Sequence, residues 1–167
     1  MHYFIILAYL VNHIRSNNDV PICNKDWEDA DNVGLGYLWI EKSQKMNYAD
    51  AKIFCESKNA NLIEIESQDQ MNFIKEKLKS VGESMDPDQR DDIYWWGGAT
   101  DEDKEGTWKW TQSGKTFDTT SFVWAEGQPN NAGGNGEDYF CFWNKRGYLG
   151  NDCGGSLKTF PLRQRKM

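Results

Sequence analysis

Between Gln128 and Asp152 the chain gathers side chains whose oxygens suit a hard cation. Gln128, Asn130, Asn131, Glu137 and Asp138 fall in one glycine-rich stretch, EGQPNNAGGNGEDYF, and Asn151 and Asp152 follow a short hairpin-like interval. Cations such as Ca²⁺ take roughly six to eight oxygens from carboxylates, amide carbonyls, backbone and water. Gly133, Gly134 and Gly136 allow backbone conformations that would let such a loop curl and bring its oxygens together. The same residue types are also ordinary turn formers on an acidic surface. The stretch alone therefore leaves a metal loop and a solvated loop both open.

The rest of the chain narrows the classes of function. A length of 167 residues supports one domain with a sizeable core, and eight Trp, eight Phe and seven Tyr supply the apolar area. A net charge of −7 is the wrong sign for holding phosphates, so nucleic acid is an unsuitable partner. Phe4 to Val11 is apolar but far short of the roughly 20 residues that span a bilayer. It reads as the core of a signal peptide rather than a buried strand, with cleavage near Ser16. The expected organisation is a signal peptide at 1–16, an N-terminal arm at 17–33 and a domain at 34–167, with a secreted, extracellular product and no membrane span. Both histidines, His2 and His13, lie within the segment that would be removed. Without histidine, Ser-His-Asp or Cys-His nucleophiles and His-ligated zinc are unavailable, which disfavours most enzyme classes. Cys23, Cys55, Cys141 and Cys153 form no CxxC pair, so disulfides in an oxidising compartment are expected over zinc.

The residues that could do chemistry need elements to position them. Gly36–Glu41 reads as a first strand and Asn61–Glu66 as another. Asn47 can cap a helix beginning YADAKIFCESKN. Ser67 and Gln70 resemble a capping box for a second helix, with Met71, Ile74, Leu78 and Val81 on one face. After an acidic loop around Pro87, short aromatic runs follow: IYWWGG, GTWKW, SFVW, YFCFW, GYL and KTF. Alternation in Thr107–Trp110 and Phe140–Trp143 marks strands with one face buried. The second half is expected to be mostly β with long loops.

The order of these motifs resembles the C-type lectin-like domain family, especially its small secreted invertebrate members, over Gly34 to Leu162. It runs from the cysteine-bearing helix and second helix through YWWGGATDEDKEGTWKW, FVWAEGQPNN and GEDYFCFW to LGNDC. The resemblance implies an α+β fold with two helices flanking short antiparallel sheets and a long irregular ligand-binding loop region. It implies no catalysis, and reversible, Ca²⁺-dependent carbohydrate binding, with a role in innate recognition. Gln128-Pro129-Asn130 stands at the family's E-P-N or Q-P-D triplet, whose proline is cis. By the same resemblance Gln128, Asn130, Glu137, Asn151 and Asp152 would hold the ion, and Gln128, Asn130, Glu137 and Asn151 would also bond the sugar hydroxyls. A second metal position would draw on Asp101, Glu105, Asn131 and Asp138. Cys141 and Cys153 correspond to the pair that staples the loop region, contributing roughly 3 kcal/mol in the chain-entropy picture.

This chain departs from that pattern at particular residues. Q-P-N supplies two amides where the family has one acid and one amide, and fewer charged ligands imply a weaker Ca²⁺ site. Asn131 to Asp138 holds no aromatic ring to stack on galactose, which favours mannose- or fucose-like ligands. Gly150 occupies the usual Trp position before the N-D pair. Arg163 occupies the position of the cysteine that would pair with Cys55, leaving Cys55 unpaired unless Cys23 reaches it. An oligomer is compatible with the sequence, although no heptad repeat is present to assemble one. A calcium-independent protein-interaction domain on the same fold is the alternative. A glycoside hydrolase using Glu105 and Glu137 lacks any supporting motif.

Overall fold

The computed structural model describes residues 27–133 and 136–166. The expected signal peptide, both histidines and Cys23 lie outside the described residues. The helices start where side-chain caps satisfy the otherwise unbonded amides of a first turn. Asn47 Oδ1 accepts from the Asp50 amide at 2.8 Å and opens α1, Tyr48–Glu56. Ser67 Oγ accepts from the Gln70 amide at 3.2 Å and opens α2, Gln68–Ser84. The Gln70 side chain reaches one residue beyond the cap, accepting from the Glu66 amide at 2.7 Å and donating to Val33 O at 3.1 Å. It thereby ties the start of α2 to the N-terminal arm. Met71, Ile74 and Leu78 are buried along one face, and Val81 packs partly against them.

The strands are β1 (Glu28–Asp29), β2 (Tyr37–Ile40), β3 (Asn61–Leu62), β4 (Tyr94–Thr100), β5 (Lys109–Trp110), β6 (Tyr139–Trp143), β7 (Leu149–Cys153) and β8 (Phe160–Arg165). They form a sheet in the order β1-β2-β8-β4-β6-β7, with β3 on β8 and β5 on β4. Neighbours are antiparallel except β4 and β8, which run parallel with Trp95 opposite Phe160. The sheet is therefore mixed rather than purely antiparallel. The end of the N-terminal arm is part of it, since Glu28 pairs with Leu38.

Period-two alternation distributes the aromatic residues of β4 and β6 between two buried clusters. Trp95, Phe140 and Phe142 join α2 in the larger cluster, while Trp96 and Cys141 face Tyr48, Ala51 and Cys55 of α1. The indole nitrogens find partners, Trp95 Nε1 on Glu41 O at 3.2 Å and Trp96 Nε1 on Met46 O at 2.9 Å. Between them and the loops, β4 runs through Gly97 and Gly98. A Cβ on Gly97 would meet Phe140 at 2.6 Å, and one on Gly98 would meet Leu62 O at 2.7 Å. These close approaches let β4 pass between β6 and β3.

Some expected strands are shorter or absent, Thr107–Trp110 being reduced to Lys109–Trp110. Of Asn61–Glu66 only Asn61 and Leu62 lie in the ladder; just beyond it the Glu64 carboxylate accepts the amides of Gln112 and Ser113 at 2.7 and 2.9 Å. SFVW forms no strand; Asp118 caps a local turn at Thr120, and only Trp124 bridges to Gly150. Among the described residues no helix is long and apolar enough to cross a membrane.

Candidate cation and ligand site

The β6–β7 hairpin sets one wall of the site. Its register places Tyr139 opposite Cys153 and Phe140 opposite Asp152, with the connecting turn at the far end around Asn144–Arg146. Asn151 and Asp152 therefore emerge at the open end of the hairpin, beside the disulfide Cys141–Cys153. Gly150 joins this wall to the loop before the triplet: its amide donates to Val123 O at 2.7 Å, and its carbonyl accepts from Ala125 N at 2.9 Å. A Cβ there would meet Phe140 Cε2 at 2.3 Å and Val123 O at 2.7 Å. The Phe140 ring takes the space a tryptophan would need. Gly150→Ala is expected to lower stability by about 1–3 kcal/mol through overpacking, as urea unfolding would measure.

The Gln128–Pro129 bond is cis. Beyond it, Asp152 Oδ2 accepts two successive backbone amides, Asn130 at 2.8 Å and Asn131 at 2.5 Å. The Ala132 amide lies within hydrogen-bond distance of both Asn130 Oδ1, at 3.0 Å, and Glu137 Oε2, at 2.8 Å. Asn131, in the left-handed region at φ 48°, returns its Oδ1 to the Glu137 amide at 2.9 Å. Asn130, Glu137 and Asp152 are thus brought together around one turn of backbone. Gln128 Oε1 and Asp152 Oδ1 are buried there without a hydrogen-bond partner. Asn151 is buried, and its amide nitrogen points inward to Asp152 O and Cys153 Sγ, so any role toward a ligand falls to its Oδ1.

The residues expected at a second position are also neighbours. Asn131 Nδ2 donates to Glu105 Oε2 at 2.7 Å. Asp101 N and Thr100 Oγ1 both donate to Asp138 O, at 3.2 and 2.7 Å. Asp101 is buried, with Oδ2 on the Gly106 amide at 2.8 Å and Oδ1 unpartnered. Burial pushes its carboxyl above the usual range, and the charges of Glu105 and Asp138 add to the rise. Burial likewise raises Glu137, opposed by the Ala132 amide and reinforced by the charge of Asp152. Among the described residues no three of His, Cys, Asp and Glu converge to hold a metal on their own. A cation at either place would rest on amide and backbone oxygens too.

The family model of the lectin C-type domain matches residues 44–158. The chain belongs to the C-type lectin domain family. That family is one of non-enzymatic, carbohydrate-binding domains, which answers the question of catalysis. This C-type lectin domain is 34% identical to the hepatic lectin of Gallus gallus over 120 residues, 72% of this chain and 49% of that protein. It is 28% identical to C-type lectin domain family 4 member M of Nomascus concolor over 111 residues, 66% of this chain and 24% of that protein. The chain thus spans half or less of these relatives. Two solved structures share the fold. C-type lectin CEL-I from Cucumaria echinata has a TM-score of 0.68 and 21% identity, covering 86% of this chain and 96% of that one. The mouse scavenger receptor C-type lectin carbohydrate-recognition domain has 0.67 and 24%, with the same coverage.

Two features of the site lay beyond sequence reasoning. The Ala132 amide, a focus for Asn130 and Glu137, belongs to a residue with no functional side chain. Glu105 serves as a loop brace through Asn131, which only the contact reveals. The disulfide matches its expected pairing, and Cys55 is a buried thiol, unpaired among the described residues.

Proposed function

We propose that this domain binds carbohydrate reversibly through a Ca²⁺ ion held by Gln128, Asn130, Glu137, Asn151 and Asp152. The observation that carries the reading is the pair of buried, unpartnered oxygens, Gln128 Oε1 and Asp152 Oδ1, beside the loop that Asp152 Oδ2 and Glu137 Oε2 hold through its backbone amides. A buried carboxylate oxygen without a partner is costly, and a cation relieves that cost. When bound, Ca²⁺ supplies a hard positive centre whose remaining coordination positions accept hydroxyl oxygens. Gln128 and Asn130 supply amide oxygens to the ion and N–H donors to hydroxyls. Glu137 accepts a hydrogen bond from a hydroxyl, and Asp152 holds the amides of Asn130 and Asn131 in place. Asp101, Glu105, Asn131 and Asp138 form the second cation position in this reading.

Mannose- or fucose-like ligands are favoured because the loop presents no ring for stacking on galactose. Export of the mature domain through the apolar run at Phe4–Val11 belongs to the same proposal. Calorimetry with Ca²⁺, followed by a glycan array with and without chelator, tests it; sugar binding that ignores chelator, or no calcium heat, would sink it. The amide-rich triplet favours one other reading, a calcium-independent protein-interaction domain with a degenerate sugar site, which predicts no calcium heat and no sugar signal that chelator abolishes.

Proton linkage gives a further expectation. Because the Glu137 carboxyl is raised in the folded protein, it takes up its proton at higher pH than an ordinary glutamate as the medium is acidified. Protonation competes with the cation, so Ca²⁺ affinity is expected to fall on acidification from neutral pH, beginning above the ordinary carboxylate range. In calcium-free protein the sign reverses. A raised carboxyl destabilises the fold at neutral pH, and that penalty is relieved as pH falls through its folded pKa. Calcium titrations at a series of pH values, with thermal melts in chelator, check both halves.

A further inference from the structure

The two ends of this domain are tied by different chemistry. At the ligand end the tie is covalent, Cys141–Cys153, with a sequence separation of 12. At the other end, where α1 meets β8, the tie is the buried Arg163, ion-paired to Glu41 at 3.3 Å. Its guanidinium lies 4.2 Å from the Trp39 ring centroid and 4.7 Å from that of Phe54. The larger hydrophobic cluster contains no cysteine; Cys55, Cys141 and Cys153 all sit in the smaller one. Among the described residues, Cys141–Cys153 is the bond that a reductant can cleave.

We propose that Cys141–Cys153 is a redox-controlled latch on the ligand site, whose reduction by a dithiol of the thioredoxin class releases the loop end while the rest of the domain stays folded. A thiolate of the reductant attacks one protein sulfur and forms a mixed disulfide. The other protein sulfur leaves as a thiolate and takes up a proton. The second reductant thiol then displaces the remaining protein sulfur, which is protonated in turn. The products are Cys141 and Cys153 thiols and an intramolecular disulfide on the reductant, which has lost two electrons. The consequence for Ca²⁺ rests on the function proposed above; the release of the loop does not.

The register explains why release starts at the site. Tyr139–Cys153 is the last pair at the open end of the β6–β7 hairpin, opposite the turn, so fraying without the disulfide begins there. The next residues inward on β7 are Asp152, which holds the amides of Asn130 and Asn131, and Asn151. Cys141 and Cys153 are buried, so the reductant must wait for the end to open. Any ligand that keeps Asp152 in place slows reduction, and by linkage reduction weakens that ligand. Burial pushes the Cys55 thiol up to about 12, so it supplies almost no thiolate to attack the disulfide from within.

The test uses the oxidised full chain treated with dithiothreitol or thioredoxin, and a Cys55→Ser variant to exclude internal exchange. Thiols are counted by alkylation and mass spectrometry, and amide hydrogen exchange is followed by segment. Reduction is expected to leave α2 and β4 protected and a cooperative melt in place. Exchange over 126–133 and 149–153 should accelerate by about tenfold or more, and Ca²⁺ affinity should fall by a similar factor. Saturating Ca²⁺ should slow the reduction itself. Global unfolding on reduction, or unchanged exchange over those two segments, overturns the latch. An oxidised protein that gives no calcium heat but shows the segmental release overturns the calcium reading and leaves the latch standing.

Discussion

Asp152→Ala is expected to abolish detectable Ca²⁺ binding and to destabilise the domain by about 3–5 kcal/mol. The side chain is almost wholly buried, at 1% exposure, and does two jobs with its two oxygens. Oδ2 accepts the amides of Asn130 and Asn131, and alanine leaves both of these part-buried donors without their partner, at about 1–3 kcal/mol each. Oδ1 is the unpartnered oxygen assigned to the cation. Asp152→Asn separates the jobs. It keeps one oxygen for the two amides but puts an NH₂ group where the cation ligand would be and removes the charge. Urea unfolding should show the asparagine variant within about 2 kcal/mol of the parent, while calorimetry should show its Ca²⁺ affinity down by about 100-fold. An asparagine variant that binds Ca²⁺ as tightly as the parent would remove Asp152 from the site.

The second large effect is expected at Arg163. Truncation to methionine should cost about 3–5 kcal/mol, the range for breaking a buried ion pair from one side. Glu41 keeps its bonds from the amides of Lys42 and Ser43 and from Ser43 Oγ, at 3.1, 2.9 and 2.6 Å, which argues for the lower part of that range. Lysine is not expected to rescue, because the planar guanidinium lies against the rings of Trp39 and Phe54 as well as pairing with the carboxylate. Combining Arg163→Met with Glu41→Gln should recover part of the loss, since no buried charge is then stranded. Denaturant titrations of the two single variants and the double variant measure the coupling directly.

Acid should act on this pair in a defined direction. Burial works to raise the Glu41 carboxyl, but the Ser43 and Lys42 hydrogen bonds and the charge of Arg163 together hold it below its ordinary value. Its stabilising contribution is thus complete above the ordinary carboxylate range and is lost as pH falls through the lowered folded pKa. Arg163→Met should weaken that part of the stability profile without removing it, because the Ser43 and Lys42 hydrogen bonds remain.

Much of the scaffold was legible because it depends on local rules. Asn47 and Ser67 cap the helices as their types and spacing require, and the Met71–Ile74–Leu78 stripe faces the core. Alternation in YFCFW assigns Phe140 and Phe142 to one side and Cys141 to the other. Glu64 shows where local reading stops. NLIEIE has strand composition throughout, yet the ladder ends at Leu62, and the Glu64 carboxylate satisfies two amides 48 and 49 positions away.

For this protein, local sequence determined the helices, the alternating strands and the oxygen-rich loop, since caps, periodicity and turn formers act within a few residues. The resemblance of its motif order supplied the family and the cysteine pairing. Tertiary structure decided how each unusual residue is used. Gly150 is required by the Phe140 ring and Val123 O, Arg163 is held by Glu41 and aromatic residues from distant segments, and Asp152 gives one oxygen to a backbone turn while the other is buried without a hydrogen-bond partner. Each of those roles depends on contacts between residues far apart in the chain, and no local periodicity encodes such contacts.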